Sequence, residues 1–413
     1  MTIPAILDRH AEEAALLWIQ RDGAVVAPHY NLRSLTELDE RIEAHLDGLR
    51  IAGDAGRQRV WREFEEHPEP GEAFAAAVLA FESADAGQIA SLLAQVAGQD
   101  ALVRPLISAL GWLSPESAGV AIPLLLSWGD PVSLHVGLGG AAVRREHPGG
   151  KVLLKALQHA DASIRARAFR ACGELGDRSQ VQDLFIGQAD ADADCRFWAT
   201  WSVALLTADP SALAELREEI GPRARITLQL AARRGEPAQF RGWLRGRLNN
   251  PDRRTSIIAA GAFGEADTVP WLLDQLGDPA LARLAGESIS DITGIDPNAA
   301  RFEGSPPTGH ADGPTDDPAD EDVAPDPDAD LPWPNVKALR DWWGAHRGDF
   351  PTQTRLLAGR PITPEWLRQV LMQGSQRHRT AAALEQVKLR PGEPLVETRA
   401  RVRHQTIQGQ SSP

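Results

Sequence analysis

Arginine carries nearly all the positive charge of this 413-residue chain, because lysine stands only at 151, 155, 337 and 388. Several arginines recur at a fixed place: Arg104, Arg165, Arg196, Arg225 and Arg254, each followed three residues later by an apolar residue, with His135 filling the first gap. Two chemistries fit such a row. Guanidiniums lining a groove could hold an acidic peptide or a phosphate backbone. Alternatively, each could bond carboxylates and carbonyls of a neighbouring turn and serve the fold alone. Arg165, Arg196 and Arg254 are the candidate binding residues of this row. A second candidate set is aromatic: Trp333, Trp342, Trp343 and Trp366 crowd one short stretch. They form either the core of a small block or an exposed patch for a partner, since tryptophan dominates binding hot spots.

Other constellations fall short of chemistry. His10 and Glu13 share a helix face, as metal ligands can, but nothing nearby completes a site. Glu146-His147 is in the same position. Gly137-Leu-Gly139-Gly-Ala-Ala142 loosely matches a dinucleotide loop, which needs a strand before it. Here it lies inside a helical pattern, so close helix packing is the expected use of its small residues. No Gly-x-Ser-x-Gly elbow and no phosphate loop ending Gly-Lys-Ser/Thr occurs. No catalytic residue, cofactor or metal ligand is therefore expected.

The elements that carry the arginine row are best read at 151–177. Val152, Leu153, Ala156 and Leu157, then Ile164, Ala168, Ala171 and Leu175, keep the spacing of two short amphipathic helices. Asp161 or Ser163 can cap the second helix and Gly176 can end it in the left-handed region. Arg170 and Glu174 are four apart on the outward side. The interval of the arginine row stays near 30 residues, as expected for stacked helical hairpins that each need neighbours to bury their apolar faces. Glycines recur near the helix ends at 111, 176, 235, 264 and 294. The fold class expected is all-α: an α-solenoid of helical hairpins.

Around this array the sequence divides into four parts. Residues 1–71 read as a helical N-terminal cap, with helices over 1–22, from a capping box Ser34-Leu-Thr-Glu37 to about Ile51, and over 57–66. Residues 72–296 carry the repeats. Residues 297–330 form an acidic linker; the stretch 296–330 holds eleven acids and one arginine. It is too polar to offset its chain entropy and is expected to be disordered. Residues 331–413 form a small, mostly helical, Trp-rich C-terminal block. Its helices start after Pro334, at Thr363-Pro364 and at Gln376; 395–402 reads as a short strand or extended arm.

The net charge is −14. An acidic chain is a poor general ligand for phosphates, so nucleic acid is not an expected partner. Cys172 and Cys195, the only two cysteines, are expected to be reduced and buried. The first residues carry charges through any apolar run, so no secretory signal is expected. The run around 120–126 is broken by Pro123 and too short to cross a bilayer. The expectation is a cytoplasmic protein with no membrane contact.

The repeats resemble HEAT-like repeats, in which an Arg early in the second helix lies close to an Asp of the preceding turn. Asp161/Arg165, Asp194/Arg196 and Asp252/Arg254 match this pattern, and Gly221-Pro222 before Arg225 departs from it. Outside the repeats, several stretches resemble an uncharacterised bacterial family of HEAT-repeat proteins. These are Ala11-Glu-Glu-Ala-Ala-Leu-Leu-Trp18, Pro28-His-Tyr30, 38–50, Leu331-Pro-Trp-Pro334, Trp342-Trp343, Gln376-Arg-His-Arg379 and Pro391-Gly-Glu-Pro-Leu395. Members of that family are often found near type VI secretion genes, which implies an accessory or adaptor role and assigns no residue a job. The function expected is a non-enzymatic scaffold or adaptor that binds a protein partner. The alternative is an enzyme on a HEAT-like scaffold, of the DNA glycosylase or lyase type, and a deep cleft with a buried, unpaired carboxylate would favour it.

Overall fold

The computed structural model of the chain describes residues 3–308 and 326–405, so positions 309–325 of the expected acidic linker lie outside the described residues. The described residues are all-α, with twenty-one α-helices and one two-stranded hairpin. They divide into two compact units, Met1–Thr207 with Arg390–Pro413, and Ala208–Leu389.

The first unit opens with α1 (Pro4–Ala24), α2 (Leu32–Ile51) and α3 (Asp54–Glu66). Pairs follow: α4 (Pro70–Ser83) and α5 (Ala86–Val96), α6 (Asp100–Trp112) and α7 (Pro115–Trp128), α8 (Pro131–Val143) and α9 (Gly150–Leu157), α10 (Ala162–Leu175) and α11 (Val181–Gly187), then α12 (Ala193–Thr207). The even-numbered helices from α4 to α12 pack in series, each on the next, and α1 packs on α4. A helix with neighbours on both sides must be apolar over most of its surface. The run Ala73–Phe81 of α4 is buried throughout, as are Gly137–Ala142 of α8. The glycines of α8 are there for contact: a Cβ at Gly139 would collide with Ile107 and one at Gly140 with Leu110 of α6. One apolar interior extends from Ala11 of α1 to Ala141 of α8, so α1–α3 share the core of the pairs that follow.

Two local readings shift. Helix α2 begins three residues before the expected Ser34 start, because Asn31 is the cap. Its side chain accepts from the Ser34 N–H at 3.1 Å while the Ser34 hydroxyl accepts from the Asn31 N–H at 2.9 Å. Residues 395–402 form no strand; they run as an irregular arm, bent at Thr398–Ala400 and entering a 3-10 turn at Val402–His404, that belongs to the first unit. The C-terminal block therefore does not hold together as one piece, since 331–389 fall in the second unit and 390–405 in the first.

The second unit repeats the theme with α13 (Pro210–Arg217), α14 (Ala224–Arg234), α15 (Pro237–Arg247), α16 (Arg253–Phe263), α17 (Val269–Gln275) and α18 (Pro279–Thr293). Here α14, α16 and α18 pack in series. Three later helices, α19 (Val336–His346), α20 (Pro364–Gln373) and α21 (Gln376–Leu389), complete it, with β1 (Leu356–Leu357) pairing antiparallel to β2 (Arg360–Pro361). Chain returning from the C-terminal side is held on the helix ends by backbone bonds. Leu356 N–H donates to the Gly264 carbonyl at 2.8 Å and Ala358 N–H to that of Asp291 at 2.7 Å.

The recurring glycines gain a second purpose from this. Gly176, Gly264 and Gly294 end α10, α16 and α18 with φ of 69°, 81° and 72°. A Cβ on them would also run into the carbonyl oxygens of Glu393, Leu356 and Ala358 respectively. Gly176→Ala should cost about 1–2 kcal/mol for the left-handed backbone alone, and more from the displaced arm. Urea unfolding checks this; a loss under about 0.5 kcal/mol would show that the arm yields freely.

Candidate functional site

The first unit contains a cleft of about 770 Å³ whose walls come from α1, α6, α8, α10, the start of α12 and the arm. Its lining follows the helix direction. At the helix starts stand Asp100, Asp161, Asp192 and Asp194; one turn on come Arg104, His135, Arg167 and Trp198; further on lie Ile107, Gly139 and Arg170; at the far edge are Trp112, Glu174 and the arm residues 397 and 399–401. Parallel stacking of similar helices puts residues of like position in register, which is why the cleft is layered.

The arm is gripped by arginines through its backbone. Arg21 donates to the carbonyls of Arg399 and Ala400 at 2.9 and 2.8 Å, and Arg145 to that of Leu395 at 2.6 Å. Arm N–H groups donate in turn, Leu395 to the Glu174 carbonyl at 3.0 Å and Val402 to Asp39 at 2.7 Å. Arg145 pairs with Glu397 at 2.9 Å and Arg401 with Glu43 at 3.1 Å. Arg21 is 3% exposed and forms a buried ion pair with Asp39. Both Arg21 and Arg401 lie against the ring of Trp112, whose indole N–H donates to Glu43 at 2.7 Å. Burial raises the Glu43 carboxyl, but the Trp112 bond with Arg50 and Arg401 holds it below the usual range.

The remaining cleft is strongly charged. Arg104 bonds Asp22 at 2.7 Å. Glu174 is buried and receives both Arg167 and Arg170, the latter at 2.8 Å. Burial alone would raise its carboxyl; Arg167, Arg170 and Arg145 outweigh that and hold it far below the usual value. The Arg170 guanidinium also lies 4.4 Å from the centre of the Trp198 ring. Arg399 is exposed and lines the cleft; among the described residues its guanidinium forms no ion pair, although Glu397 and Asp22 lie near enough to favour its charge. Desolvation in the cleft, then Arg104 and Arg170, outweigh them and push it down to about 10.

His135 is half-buried in this wall and is pushed down to about 4, first by desolvation and then by Arg167. Its folded value lies below the ordinary 6.5, so protons bind the unfolded chain more readily. Its contribution to stability is whole above pH 6.5 and fades as pH falls towards 4. His135→Phe should flatten the pH dependence of urea midpoints in that window; an unchanged slope would place the imidazole in free solvent.

The expected arginine row separates into different uses. Arg165 pairs bidentately with Asp190 at 2.8 Å and bonds the His159 and Ala160 carbonyls; Arg196 bonds those of Asp190 and Ala191 in the same way. Arg254 faces Asp328 instead, with two bonds of 2.7 Å, and Arg225 bonds Glu287 at 2.7 Å. Arg104, by contrast, enters the cleft. It is the fifth residue of α6, whereas Arg165 and Arg196 are fourth in α10 and α12. One residue turns a side chain by about 100° around the helix, so equal sequence spacing led to different faces. Arg167 and Arg170, which line the cleft from α10, fall outside the repeated pattern; Arg170 makes the expected pair with Glu174, but both line the cleft and Glu174 is buried, not on the outward side.

The tryptophan set is half-buried throughout. Trp333 faces Arg283, Trp342 stacks on His346, Trp343 on Phe350, and Trp366 donates to the Leu357 carbonyl at 2.7 Å beneath Arg360. The segment Gln376-Arg-His-Arg379 knits α21 into the second unit. Arg377 pairs with Glu287, His378 with Asp291 at 2.9 Å, and Arg379 donates to the Leu371 carbonyl at 2.7 Å. The described ends of the acidic stretch are held as well. Asp328 is buried on Arg254, Asp326 pairs with Arg283, and Phe302 is in the core, so pairing with arginine orders a segment that composition alone marked as solvated.

Cys172 and Cys195 are buried free thiols, both pushed by burial up to about 12, which suits neither as a nucleophile. His10 meets His45 at 3.1 Å between Nδ1 atoms. Among the described residues no group of three His, Cys, Asp or Glu side chains is placed to hold a metal ion, and no helix is long and apolar enough to cross a membrane. No protein-family model matches the sequence, and no curated protein matches it.

Proposed function

We propose that this chain is a non-enzymatic scaffold that holds an extended segment of another protein in the cleft of its first unit. The observation that carries this reading is the arm. A non-helical stretch of polypeptide already lies against the helices, gripped by Arg21 and Arg145 at its carbonyls, and open cleft remains beside it. An enzymatic reading would draw on a buried, unpaired carboxylate in that cleft. Asp22, Asp161, Glu174, Asp192 and Glu397 instead are all engaged, by arginines or by helix-start N–H groups. An accessory role beside a bacterial secretion system, on HEAT-like repeats in the cytoplasm, is part of the proposal and rests on the sequence resemblance alone.

Affinity capture of the tagged full chain from its native cell tests this. A stoichiometric protein partner should be recovered and lost on Val132→Glu, which places a charge in the cleft wall. Recovery of none under several conditions, or a partner indifferent to that substitution, would overturn the reading.

A further inference from the structure

We propose that His10 and His45 form a chelating site for a divalent transition-metal ion, Cu2+ above Zn2+, that clips α1 to α2. The inference is independent of the scaffold reading, since neither histidine lines the cleft. By sequence, His10 and Glu13 share a face of α1 with nothing to complete a set; the fold brings His45 of α2 to that face. The two Nδ1 atoms stand 3.1 Å apart, and the rings meet edge-on with centroids 5.2 Å apart. Both imidazoles are half-buried. Gly48, three residues after His45, makes room for the His10 ring, because a Cβ there would strike it.

Imidazole nitrogens bind Cu2+ or Zn2+ at about 2.0–2.1 Å. At that radius two nitrogens 3.1 Å apart subtend about 95–100° at the ion, between square-planar and tetrahedral geometry. In the metal-free pair one neutral ring donates its Nδ1 proton and the other accepts. On binding, the donor carries its proton on Nε2 instead, so both Nδ1 lone pairs reach the ion and no net proton is released. Glu13 stands one turn from His10 on α1, near enough to His45 to act on its charge, and its pair with exposed Arg9 is loose at 3.8 Å. Its carboxylate is therefore available as a third ligand. Arg9 and Arg41 also act on His45 and oppose a cation, but both are exposed, where solvent and salt screen them. Water takes the remaining positions, as at other open metal sites, so two imidazoles suffice. A nitrogen pair selects late transition metals over Mg2+, which prefers oxygen.

Isothermal titration calorimetry on the tag-free full chain with CuCl2, ZnCl2 and MgCl2 tests this. One Cu2+ should bind tightly, Zn2+ more weakly and Mg2+ not at all. His10→Asn and His45→Asn keep a hydrogen-bonding amide near the Nδ1 position, and each should lower Cu2+ affinity at least about tenfold. Glu13→Gln should lower it less, and His29→Asn, which alters an exposed histidine outside the pair, should leave it unchanged. Cu2+ should raise the melting temperature of the parent and not of the two site variants. The electron paramagnetic resonance spectrum of the Cu2+-loaded parent should show coupling to two imidazole nitrogens, a reading that stands even where a variant folds poorly. Absence of a tight Cu2+ site, coupling to a single nitrogen, or unchanged affinity in both site variants would each overturn the inference.

Discussion

Arg21→Ala should destabilise the protein by about 3–5 kcal/mol, the cost of stripping a buried charge of its partner. Asp39, 4% exposed, would keep the Val402 N–H and lose its cation; the Arg399 carbonyl would lose its donor and the Ala400 carbonyl would keep only Gln405. The arm should then loosen. Trypsin should cut at Arg399 and Arg401 under native conditions far faster than in the parent, since local opening sets the rate. Arg21→Met with Asp39→Leu should recover most of the global stability while leaving the arm cleavable, because an apolar pair replaces the ions but offers no donors to carbonyls. Urea unfolding and limited proteolysis read the two effects separately. A loss below about 1 kcal/mol with a protected arm would mean that the pair is better solvated than its burial indicates.

Glu174→Ala ranks beside it, at about 3–5 kcal/mol. Arg167 is buried and depends on this carboxylate, and Arg170 loses the same partner. The sign with pH follows from the depressed carboxyl. The unfolded group titrates near the ordinary 4.5 and the folded one lower, so its stabilisation is complete above that pH and is lost as pH falls below it. Glu174→Ala should therefore be much less stable than the parent at pH 7 and approach it in acid. Pairing the substitution with Arg167→Met should restore most of the loss, by removing the orphaned charge. An equal loss at pH 7 and pH 3 would rule out the ion pair as its cause.

The first prediction depends on contacts between segments far apart in the chain, which marks where sequence reading ran out, whereas the second rests on pairs within one helix, α10. Within one hairpin the reading was direct. The Asp161 cap, the left-handed Gly176, the Arg170–Glu174 pair, the Thr363–Pro364 helix start and the span of α21 all come from residues within a few positions of each other. The Arg165 and Arg196 ladder is local in part: each side chain reaches back five or six residues to carbonyls of the preceding turn, while Arg165 also pairs with Asp190 in the next turn along the series.

The cleft was not legible in that way. Arg21, Asp39, Glu174 and Arg399 belong to four separate stretches, and no periodicity links them. A one-residue phase difference between α6 and α10 sent Arg104 into the cleft and Arg165 to a loop, a distinction smaller than the precision of helix starts read from sequence.

By itself, then, the sequence determined that the chain folds as packed amphipathic helices in pairs, because helical spacing, caps and stops are properties of neighbouring residues. Tertiary structure alone decided that residues 390–405 return to the first unit as an arm, that the glycines ending α10, α16 and α18 admit passing backbone, and which arginines line the cleft. Those outcomes rest in part on backbone carbonyls at helix ends finding donors, which every helix exposes whatever its sequence, and in part on Arg21 and Arg145 reaching the arm's own carbonyls. The information that selects one donor segment over another lies in three-dimensional approach.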